Sequence, residues 1–319
     1  MDDPRAQGRR ALVKWQKEGL IFSPAGQRPW LRSHASLPVV LHLGGDEYRV
    51  YFAARDDENR SHVAYVELNL RTRELLAVAE FPVLEPGPLG HFDDHGVYPA
   101  SLVRHDERLY LYYIGWNPGI KAPLFYATIG LALSDDGGLT FTKVSSAPIL
   151  ARSDHDPCLV TSPFVLCENA VWRMWYVSGF RWEQGTDSLE SYYDIKYAES
   201  ADGMSWTRTG LTCIPLREGE RNISRPCVLR DRDRYRMWYA TNTGSGYRLG
   251  FAESTDGYSW KRLDSEVGID PSPEGWDSKA QAYPWVFAHA GHEYMFYNGN
   301  DFGRNGFGLA VSRAKAGEA

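Results

Sequence analysis

Hydrophobic and polar positions repeat along this chain at an interval of about 60 residues. Each repeat starts with a proline and an apolar run, as in VYPASLV, TSPFVLC and AYPWVFA. After a polar turn, aromatic and polar residues alternate, as in RLYLYYIGW and YRMWYATN. Alternation with a period of two is typical of β-strands. The repeated prolines are Pro38, Pro99, Pro163, Pro226 and Pro284.

Two further strands complete each repeat. The third strand, as in DIKYAES and RLGFAES, ends at an Asp-Gly turn, and the fourth carries an aromatic residue, as in MSWTRTG and YSWKRL. Four antiparallel strands in each of five repeats predict an all-β fold, a five-bladed β-propeller. The competing fold, a two-sheet sandwich, does not account for five equal repeats.

The two ends of the chain are predicted to meet in the last blade. The fifth repeat stops after its third strand, near Arg313. At the N-terminus, WQKEGLIFSP resembles WTRTGLTCIP, the fourth strand at Trp206 to Pro215. We therefore expect the N-terminal segment 11–24 to complete the last blade, so that no sheet edge is free at the seam. Residues 1–319 are then predicted to form a single domain.

Composition narrows the partners and the compartment. The net charge of −6 argues against nucleic acid or an anionic membrane surface as a partner. The chain has no apolar run long enough for a membrane span, and its N-terminus has no apolar signal region, so we expect a cytoplasmic location. The scattered cysteines predict four free thiols. They are Cys158, Cys167, Cys213 and Cys227.

Candidate chemistry lies in the segments that precede the five prolines. In a propeller these segments meet at one mouth of the central channel, so their polar residues are expected to form one pocket. In HFDDHGVYP the two adjacent carboxylates are either a solvated loop pair or part of that pocket. The predicted site residues from these segments are Asp93, Asp94, His95, Asp156, Arg225, Asp277, Gln281 and Tyr283.

Turns between strands add further candidates. Arg55 and Asp56 are either a charged hairpin tip or groups that bind ligand hydroxyls or a carboxylate. The long turn of the third repeat offers Trp182 for stacking on a sugar and also carries Glu190. Asn300, in YNGN, could donate hydrogen bonds to a ligand. The spacing of histidines and cysteines fits no zinc pattern, so we expect no metal and no cofactor.

The repeat and several of these pieces resemble a known superfamily. The chain is similar to the five-bladed β-propeller glycoside hydrolases of families 32, 43, 62, 68 and 130. FDDHGVYP, GWDSKAQAYP and YNGN look closer to a glycosidase-like subgroup associated with bacterial surface-polysaccharide biosynthesis. Two positions depart from the pattern of family 43, where the resemblance implies acidic residues. These positions hold Leu37 and Thr161.

The resemblance implies carboxylate acid/base chemistry on a glycosidic bond. We expect an enzyme, a glycosidase or glycan phosphorylase, with Asp94, Asp277 and Glu190 as catalytic residues and Glu190 as the proton donor. One alternative is a sugar transferase or sugar-modifying enzyme in bacterial polysaccharide biosynthesis. Another is a non-catalytic carbohydrate-binding propeller. In each case the partner is a carbohydrate or another sugar-containing small molecule, and the sequence leaves the sugar, its linkage and the oligomeric state open.

Overall fold

A computed structural model describes residues 14–24, 26 and 28–313 of the chain. The described part is built from strands, with two short 3-10 helices at Asp264–Glu266 and Asn300–Gly303. The strands are β1 (Gln16–Phe22), β2 (Ser33–Gly44), β3 (Glu47–Arg55), β4 (Ser61–Asn69), β5 (Leu75–Val78), β6 (Gly96–His105), β7 (Arg108–Pro118), β8 (Phe125–Ser134), β9 (Thr142–Lys143), β10 (Leu159–Glu168), β11 (Val171–Gln184), β12 (Leu189–Ser200), β13 (Thr207–Ile214), β14 (Asn222–Arg230), β15 (Tyr235–Asn242), β16 (Tyr247–Ser254), β17 (Lys261–Arg262), β18 (Ala282–His289), β19 (His292–Asn298) and β20 (Phe307–Arg313).

These strands form antiparallel groups of four, which we call units. Unit 1 is β2–β5, unit 2 is β6–β9, unit 3 is β10–β13, unit 4 is β14–β17, and unit 5 is β18–β20 with β1. Single parallel bridges, Ser61 to Gly96 and Tyr193 to Asn222, join units 1 and 2 and units 3 and 4. The structure thus confirms the prediction of an all-β fold made of antiparallel strands.

The first strands of the units meet around a common centre. β2 contacts β6, β6 contacts β10, β10 contacts β14, β14 contacts β18, and β18 contacts β2 again. The other strands of each unit follow outward in order. First strands that close a circle around a central channel are typical of a β-propeller.

The N-terminal strand closes unit 5, as the sequence predicts. β1 pairs antiparallel with β20, with Gln16 opposite Val311 and Phe22 opposite Phe307. Trp15 packs edge to face on Trp238, with ring centroids 6.3 Å apart. Residues 11–13 of the predicted closing segment lie outside the described residues, as do 1–10 and 314–319 of the predicted single domain.

Aromatic residues of the second strands hold neighbouring units together. The hydroxyl of Tyr51 donates to the carbonyl of Gly138, and Tyr112 repeats this contact with Gly203, both at 2.8 Å. The indole of Trp175 donates to the carbonyl of the equivalent turn in unit 4 at the same distance. Each of these aromatic side chains is fully buried. Much of the aromatic content therefore serves packing between units.

Candidate functional site

The residues that precede the repeated prolines have an unusual backbone conformation. A residue before proline normally adopts an extended conformation with negative φ. Four of the five have φ between 45° and 56°. Strained backbone of this kind concentrates at functional sites, which directs attention to the centre of the ring. The four residues are Leu37, Ser162, Arg225 and Tyr283.

Arg225 crosses the centre of the ring. Its Nη1 donates to the carbonyl of Pro99 in unit 2 and its Nη2 to the carbonyl of Pro38 in unit 1, each at 3.2 Å. The side chain is fully buried, and its Nε has no partner among the described residues. Burial lowers the pKa of Arg225 to about 10. The predicted site residue therefore lies at the channel, as a desolvated cation held by carbonyls.

A group of tyrosines packs beside the residues that precede the prolines. Tyr98, Tyr193 and Tyr283 pack against the buried cluster that contains Leu37, and Tyr283 also packs with Tyr247. The hydroxyls of Tyr193 and Tyr247 are hydrogen-bonded to each other. The predicted residue Arg55 donates from Nη2 to the hydroxyl of Tyr98 at 2.9 Å. We call the surface formed by Arg55 and these tyrosines (Tyr98, Tyr193, Tyr247 and Tyr283) the channel mouth.

A cavity of about 860 Å³ lies beside the channel mouth in unit 2, and we call it the unit 2 cavity. The half-buried carboxylate of Asp94 lines it, accepting hydrogen bonds from the backbone of Gly90 at 2.8 Å and from the amide of Asn117. His95 also lines it. Further lining residues are Arg60, His91, Phe92, Pro118 and Tyr126.

Aromatic rings connect this cavity with the channel mouth. The ring of His95 meets Trp116 edge to face at 4.5 Å between centroids, and Trp116 stacks with Tyr98 at 6.2 Å. Tyr98 in turn accepts the hydrogen bond of Arg55. The predicted residues Arg55 and His95 are thus connected through Tyr98 and Trp116, and His95 lines the unit 2 cavity together with Asp94.

Asp93 belongs to a different arrangement. It is fully buried, accepts a hydrogen bond from the hydroxyl of Tyr113 at 3.1 Å and pairs with Lys143 at 2.6 Å. Lys143 lies on β9, the fourth strand of unit 2, so the pair fastens the loop before β6 to the outer edge of its own unit. We call such a pair of a loop carboxylate and a fourth-strand cation a loop anchor.

The loop anchor recurs in three more units. Asp156 pairs with Arg208 at 2.9 Å in unit 3, Glu220 with Arg262 at 2.6 Å in unit 4, and Asp277 with Lys17 at 2.7 Å in unit 5. The second-strand tyrosines Tyr176 and Tyr297 donate to Asp156 and Asp277. Unit 1 has Phe52 at the tyrosine position, and its fourth strand, Leu75–Val78, carries no cation.

The loop anchors correct part of the predicted site. Asp156 and Asp277 are fully buried and face the cations of outer strands, not the channel. Burial alone would raise the pKa of Asp277, but hydrogen bonds from Lys17 and other donors outweigh it, and the pKa lies below its ordinary value. The expectation that Asp277 stands with Asp94 at the channel is therefore not met.

Two other predicted residues are engaged by the loop before β18. Gln281 is buried and donates from Nε2 to Asp277 and to the carbonyl of Asp270, both at 3.1 Å. Asn300 accepts hydrogen bonds from the backbone of Lys279 and Ala280 and donates to the carbonyl of Gly275. These contacts shape the loop, and ligand binding by Gln281 and Asn300 stays a prediction.

The long turn of unit 3 is a hairpin formed by β11 and β12. Trp182 packs edge to face on Phe125 of unit 2, at 5.7 Å between centroids. Glu190 pairs with Arg221 at 2.7 Å. Stacking of Trp182 on a sugar and proton donation by Glu190 stay predictions. Asp56 is bound by Arg60 at 3.0 Å and by His62 at 3.1 Å.

The predicted site omits Arg304, which the structure places beside His34. The backbone N–H of His34 donates to the carbonyl of Arg304 at 3.2 Å, which places the loop after β19 beside β2. Burial, and then the charges of Arg55 and Arg304, lower the pKa of His34 to about 4. Arg304 lies within YNGNDFGRNG, a stretch that follows the fifth repeated proline and from which only Asn300 is predicted as a site residue.

Within the described part of the chain, no three His, Cys, Asp or Glu residues come together in a way that could hold a metal ion. The two described helices are 3-10 turns of three and four residues, and neither has the length or apolar character of a membrane span.

Comparisons with known proteins extend over nearly the whole chain. No family model matches the sequence. The chain is 41% identical over 301 residues to the uncharacterized protein MT1551 of Mycobacterium tuberculosis, strain CDC 1551 / Oshkosh, covering 94% of this chain and 99% of that protein. The same values hold for the uncharacterized protein Rv1502 of strain ATCC 25618 / H37Rv.

Similar solved structures show the fold. A complex of BT0996 with RGII superposes with a TM-score of 0.74 at 20% identity, covering 95% of this chain and 93% of the BT0996 protein. A structure from the GH130 family of mannoside phosphorylases, described as containing glycoside hydrolases, gives 0.68 at 14% identity, covering 97% and 96%. A thermostable family-43 glycoside hydrolase gives 0.62 at 15% identity, covering 90% of both proteins. This protein belongs to the family of the Mycobacterium tuberculosis protein MT1551, and it has the β-propeller fold of the glycoside hydrolases.

Proposed function

We propose that this protein is a carbohydrate-active enzyme that acts on a glycosidic bond through carboxylate acid/base chemistry. The observation that carries the proposal is the position of Asp94, a half-buried carboxylate in a cavity of about 860 Å³ that continues into a wall of aromatic rings. Aromatic faces suit sugar rings, and a carboxylate is the group that moves protons in glycoside hydrolysis. The carbohydrate complex of the BT0996 neighbour supports a sugar as the ligand.

A second carboxylate is needed, and we assign it to Glu190. The hairpin that carries Glu190 contacts unit 2, since Trp182 packs on Phe125 and Lys121 donates to Gln184 at 3.5 Å. Tyr126, next to Phe125 on the opposite face of β8, lines the unit 2 cavity. In this proposal Asp94 and Glu190 share the acid and base roles between units 2 and 3.

Asp56 has a supporting part in this proposal. Burial alone would raise the pKa of Asp56, but hydrogen bonds from His62 and Arg60 hold it below its ordinary value. Asp56 therefore stays ionised at neutral pH and fixes Arg60, which lines the unit 2 cavity.

A non-catalytic carbohydrate-binding propeller is the second candidate. It is favoured by the loop anchors, which engage Asp93, Asp156 and Asp277 in ion pairs. It is also favoured by Leu37 and Thr161 at positions where family 43 enzymes carry acidic residues. A role in bacterial polysaccharide biosynthesis and a cytoplasmic location stay predictions from the sequence.

The test begins with aryl glycosides, oligosaccharides and nucleotide sugars, screened by thermal shift and then for bond cleavage. With a cleaved substrate in hand, Asp94→Asn should reduce kcat by ~10²-fold or more, the usual contribution of a positioned acid or base. Glu190→Gln should do the same. Binding without any cleavage would favour the non-catalytic candidate.

A matched control lies at the opposite end of unit 2. Asp135 is 69% exposed in its side chain and pairs with Arg108 far from Asp94 along the same strands. Asp135→Asn should leave kcat unchanged. If Asp94→Asn and Asp135→Asn behaved alike, Asp94 would have no part in the chemistry.

A further inference from the structure

Arg55 at the channel mouth, and Arg225 and Arg304 near it, have no carboxylate partner among the described residues. Arg55 donates to the side-chain oxygen of Asn59 at 2.8 Å and to Tyr98, while its Nε is buried and unpartnered. Arg225 donates only to carbonyls, and its Nε is also buried and unpartnered. Arg304 is exposed, and only its backbone is hydrogen-bonded within the described part of the chain.

These three arginines lie near two residues, His34 and Tyr283. His34 is bonded to the backbone of Arg304, and Ser33 beside it pairs with Arg55 across β2 and β3. Tyr283 is close enough to both Arg55 and Arg225 for their charges to act on its hydroxyl. His34 and Tyr283 therefore mark the two sides of one positively charged region.

Other buried arginines in the described structure are neutralised. Arg49 binds Glu67 at 2.6 Å, Arg236 binds Glu293 at 2.6 Å, and Arg262 binds Glu220 at the same distance. A guanidinium removed from water without a counter-charge is costly, and it binds an anion strongly when one is available. The buried guanidinium of Arg225 and the buried Nε of Arg55 thus form a place prepared for a negative group, with the exposed Arg304 free to reach it, on a chain whose net charge is −6.

The surroundings specify the kind of anion. Guanidinium groups and tyrosine hydroxyls are hydrogen-bond donors suited to the oxygens of a carboxylate or phosphate, and Arg binds such oxyanions in a fork. The rings of Tyr98 and Tyr283 add apolar faces at the same place. A group that combines an oxyanion with a sugar ring satisfies both features.

We propose that the channel mouth binds an oxyanion carried by the sugar itself, so that the ligand is an acidic sugar or a sugar phosphate and not a neutral one. The inference deepens the proposed function and rests on it for the sugar part of the ligand. Arg55 and Arg304 contact the oxyanion. The buried guanidinium of Arg225, at the centre of the ring, adds positive charge without contacting it.

Three sugars that differ in one group, glucose, glucuronate and glucose 6-phosphate, test this at constant ionic strength, with inorganic phosphate as the anion without a sugar. Isothermal titration calorimetry should show glucuronate or glucose 6-phosphate binding at least ~10-fold tighter than glucose, as expected for one charged hydrogen-bonding group. The tighter of the two identifies carboxylate or phosphate as the natural group.

Variants assign the preference to the arginines. Arg55→Gln and Arg304→Gln should each reduce the affinity for the charged sugar by ~10-fold and the affinity for glucose by much less. Arg108→Gln, which alters an exposed arginine at the opposite end of unit 2, should change neither affinity. Titration of His34 by NMR gives an independent readout, since a bound anion should raise the pKa of His34 from its value of about 4.

Several results would overturn the inference. These are equal binding of glucose and its charged analogues, an anion preference that persists in both arginine variants, or no binding by any probe at millimolar concentration. Inorganic phosphate binding as tightly as glucose 6-phosphate would also overturn it, because the anion would not then be carried by the sugar. If Asp94→Asn abolished cleavage of a neutral glycoside, this inference would fail and the proposed function would stand. Tight binding of a charged sugar without cleavage of any glycoside would support this inference and contradict the proposed function.

Discussion

Asp277 accepts a hydrogen bond on Oδ2 from Nζ of Lys17 at 2.7 Å, which joins residues 260 positions apart in the chain. Lys17 lies on β1, the strand that completes unit 5, and Asp277 lies in the loop that leads to the innermost strand of that unit. The contact therefore fastens the N-terminal strand to the unit it completes. Lys17 Nζ also donates to the hydroxyl of Ser272, and the hydroxyl of Tyr297 also donates to Oδ2 of Asp277.

Breaking this ion pair should destabilise the fold. Lys17→Met keeps the length of the side chain but leaves Asp277, with a side chain 1% exposed, without its cation. We expect a loss of about 3 kcal/mol in the free energy of unfolding, the lower end of the range for a buried pair, because Lys17 is partly exposed. Urea denaturation measures it.

A solvent-exposed pair provides the control for Lys17→Met. Arg32 and Asp57 are 3.0 Å apart with side chains 42% and 73% exposed. Asp57→Asn should cost less than about 1 kcal/mol, as exposed pairs do. Because the pKa of Asp277 lies below its ordinary value, the stabilisation by the Lys17 pair should be complete at neutral pH and disappear as the pH falls through that lowered pKa. Equal losses in the two variants would contradict the loop-anchor interpretation.

The adjacent residues Asp93 and Asp94 should differ strongly in how much stability the same substitution costs. Asp93→Asn removes the charge that Lys143 pairs with in a buried setting and should cost about 3 kcal/mol of stability. Asp94→Asn keeps an oxygen that can accept from Gly90, so its stability should change by less than about 1 kcal/mol. Thermal unfolding of the two variants distinguishes them, and similar melting temperatures would refute the separation of roles.

The same two residues show how far the sequence could reach. Proline spacing and alternation predict the strands, and the match of WQKEGLIFSP to an internal strand predicts the pairing of β1 with β20. These are local patterns that repeat. Nothing local distinguishes Asp93 from Asp94, because the difference depends on Lys143, a residue 50 positions further along the chain.

The channel mouth shows a second reason why the predicted site differs from the structure. The polar residues that precede the prolines include Tyr283, which lies at the channel mouth, and Arg225, which is buried at the centre of the ring. They also include Asp156 and Asp277, because a loop carboxylate bound to an outer strand has the same sequence appearance as one facing the channel. The repeated pairing of each such carboxylate with a fourth-strand cation becomes visible only when the strands are assembled.

Thiol reactivity should divide the cysteines into two pairs. All four are free, as the sequence predicts, but Cys213 and Cys227 are buried while Cys158 and Cys167 are half-buried. Burial raises the pKa of Cys227 to about 12, which suppresses its thiolate. Ellman's reagent should titrate two thiols in the native protein and four in denaturant. Cys158→Ser and Cys167→Ser should each remove one native equivalent, and four rapid thiols in the native protein would contradict the burial.

Ionisation of Asp194 should destabilise the protein as the pH rises to about 6 and above. Its side chain is buried, Oδ1 has no side-chain partner among the described residues, and Oδ2 accepts a 3.3 Å hydrogen bond from Thr212, with the charge of Lys196 nearby. Burial raises the pKa of Asp194 to about 6. The folded state therefore binds a proton that the unfolded state has released between about pH 4 and pH 6, and stability falls across that window as the pH rises.

Replacing Asp194 by Asn removes this titration. At pH 8 the carboxylate must be ionised in a buried site, at a cost of up to about 3 kcal/mol for a shift of this size, whereas Asn carries no charge. Asp194→Asn should raise the melting temperature at pH 8 by at least about 2 °C, and the gain should shrink towards zero at pH 4. Asp187→Asn, an exposed position in the turn of the same β11–β12 hairpin, should show no gain at either pH. A melting temperature of Asp194→Asn that falls at pH 8, or a gain that is the same at both pH values, would show that the carboxylate is stabilised by its surroundings when ionised.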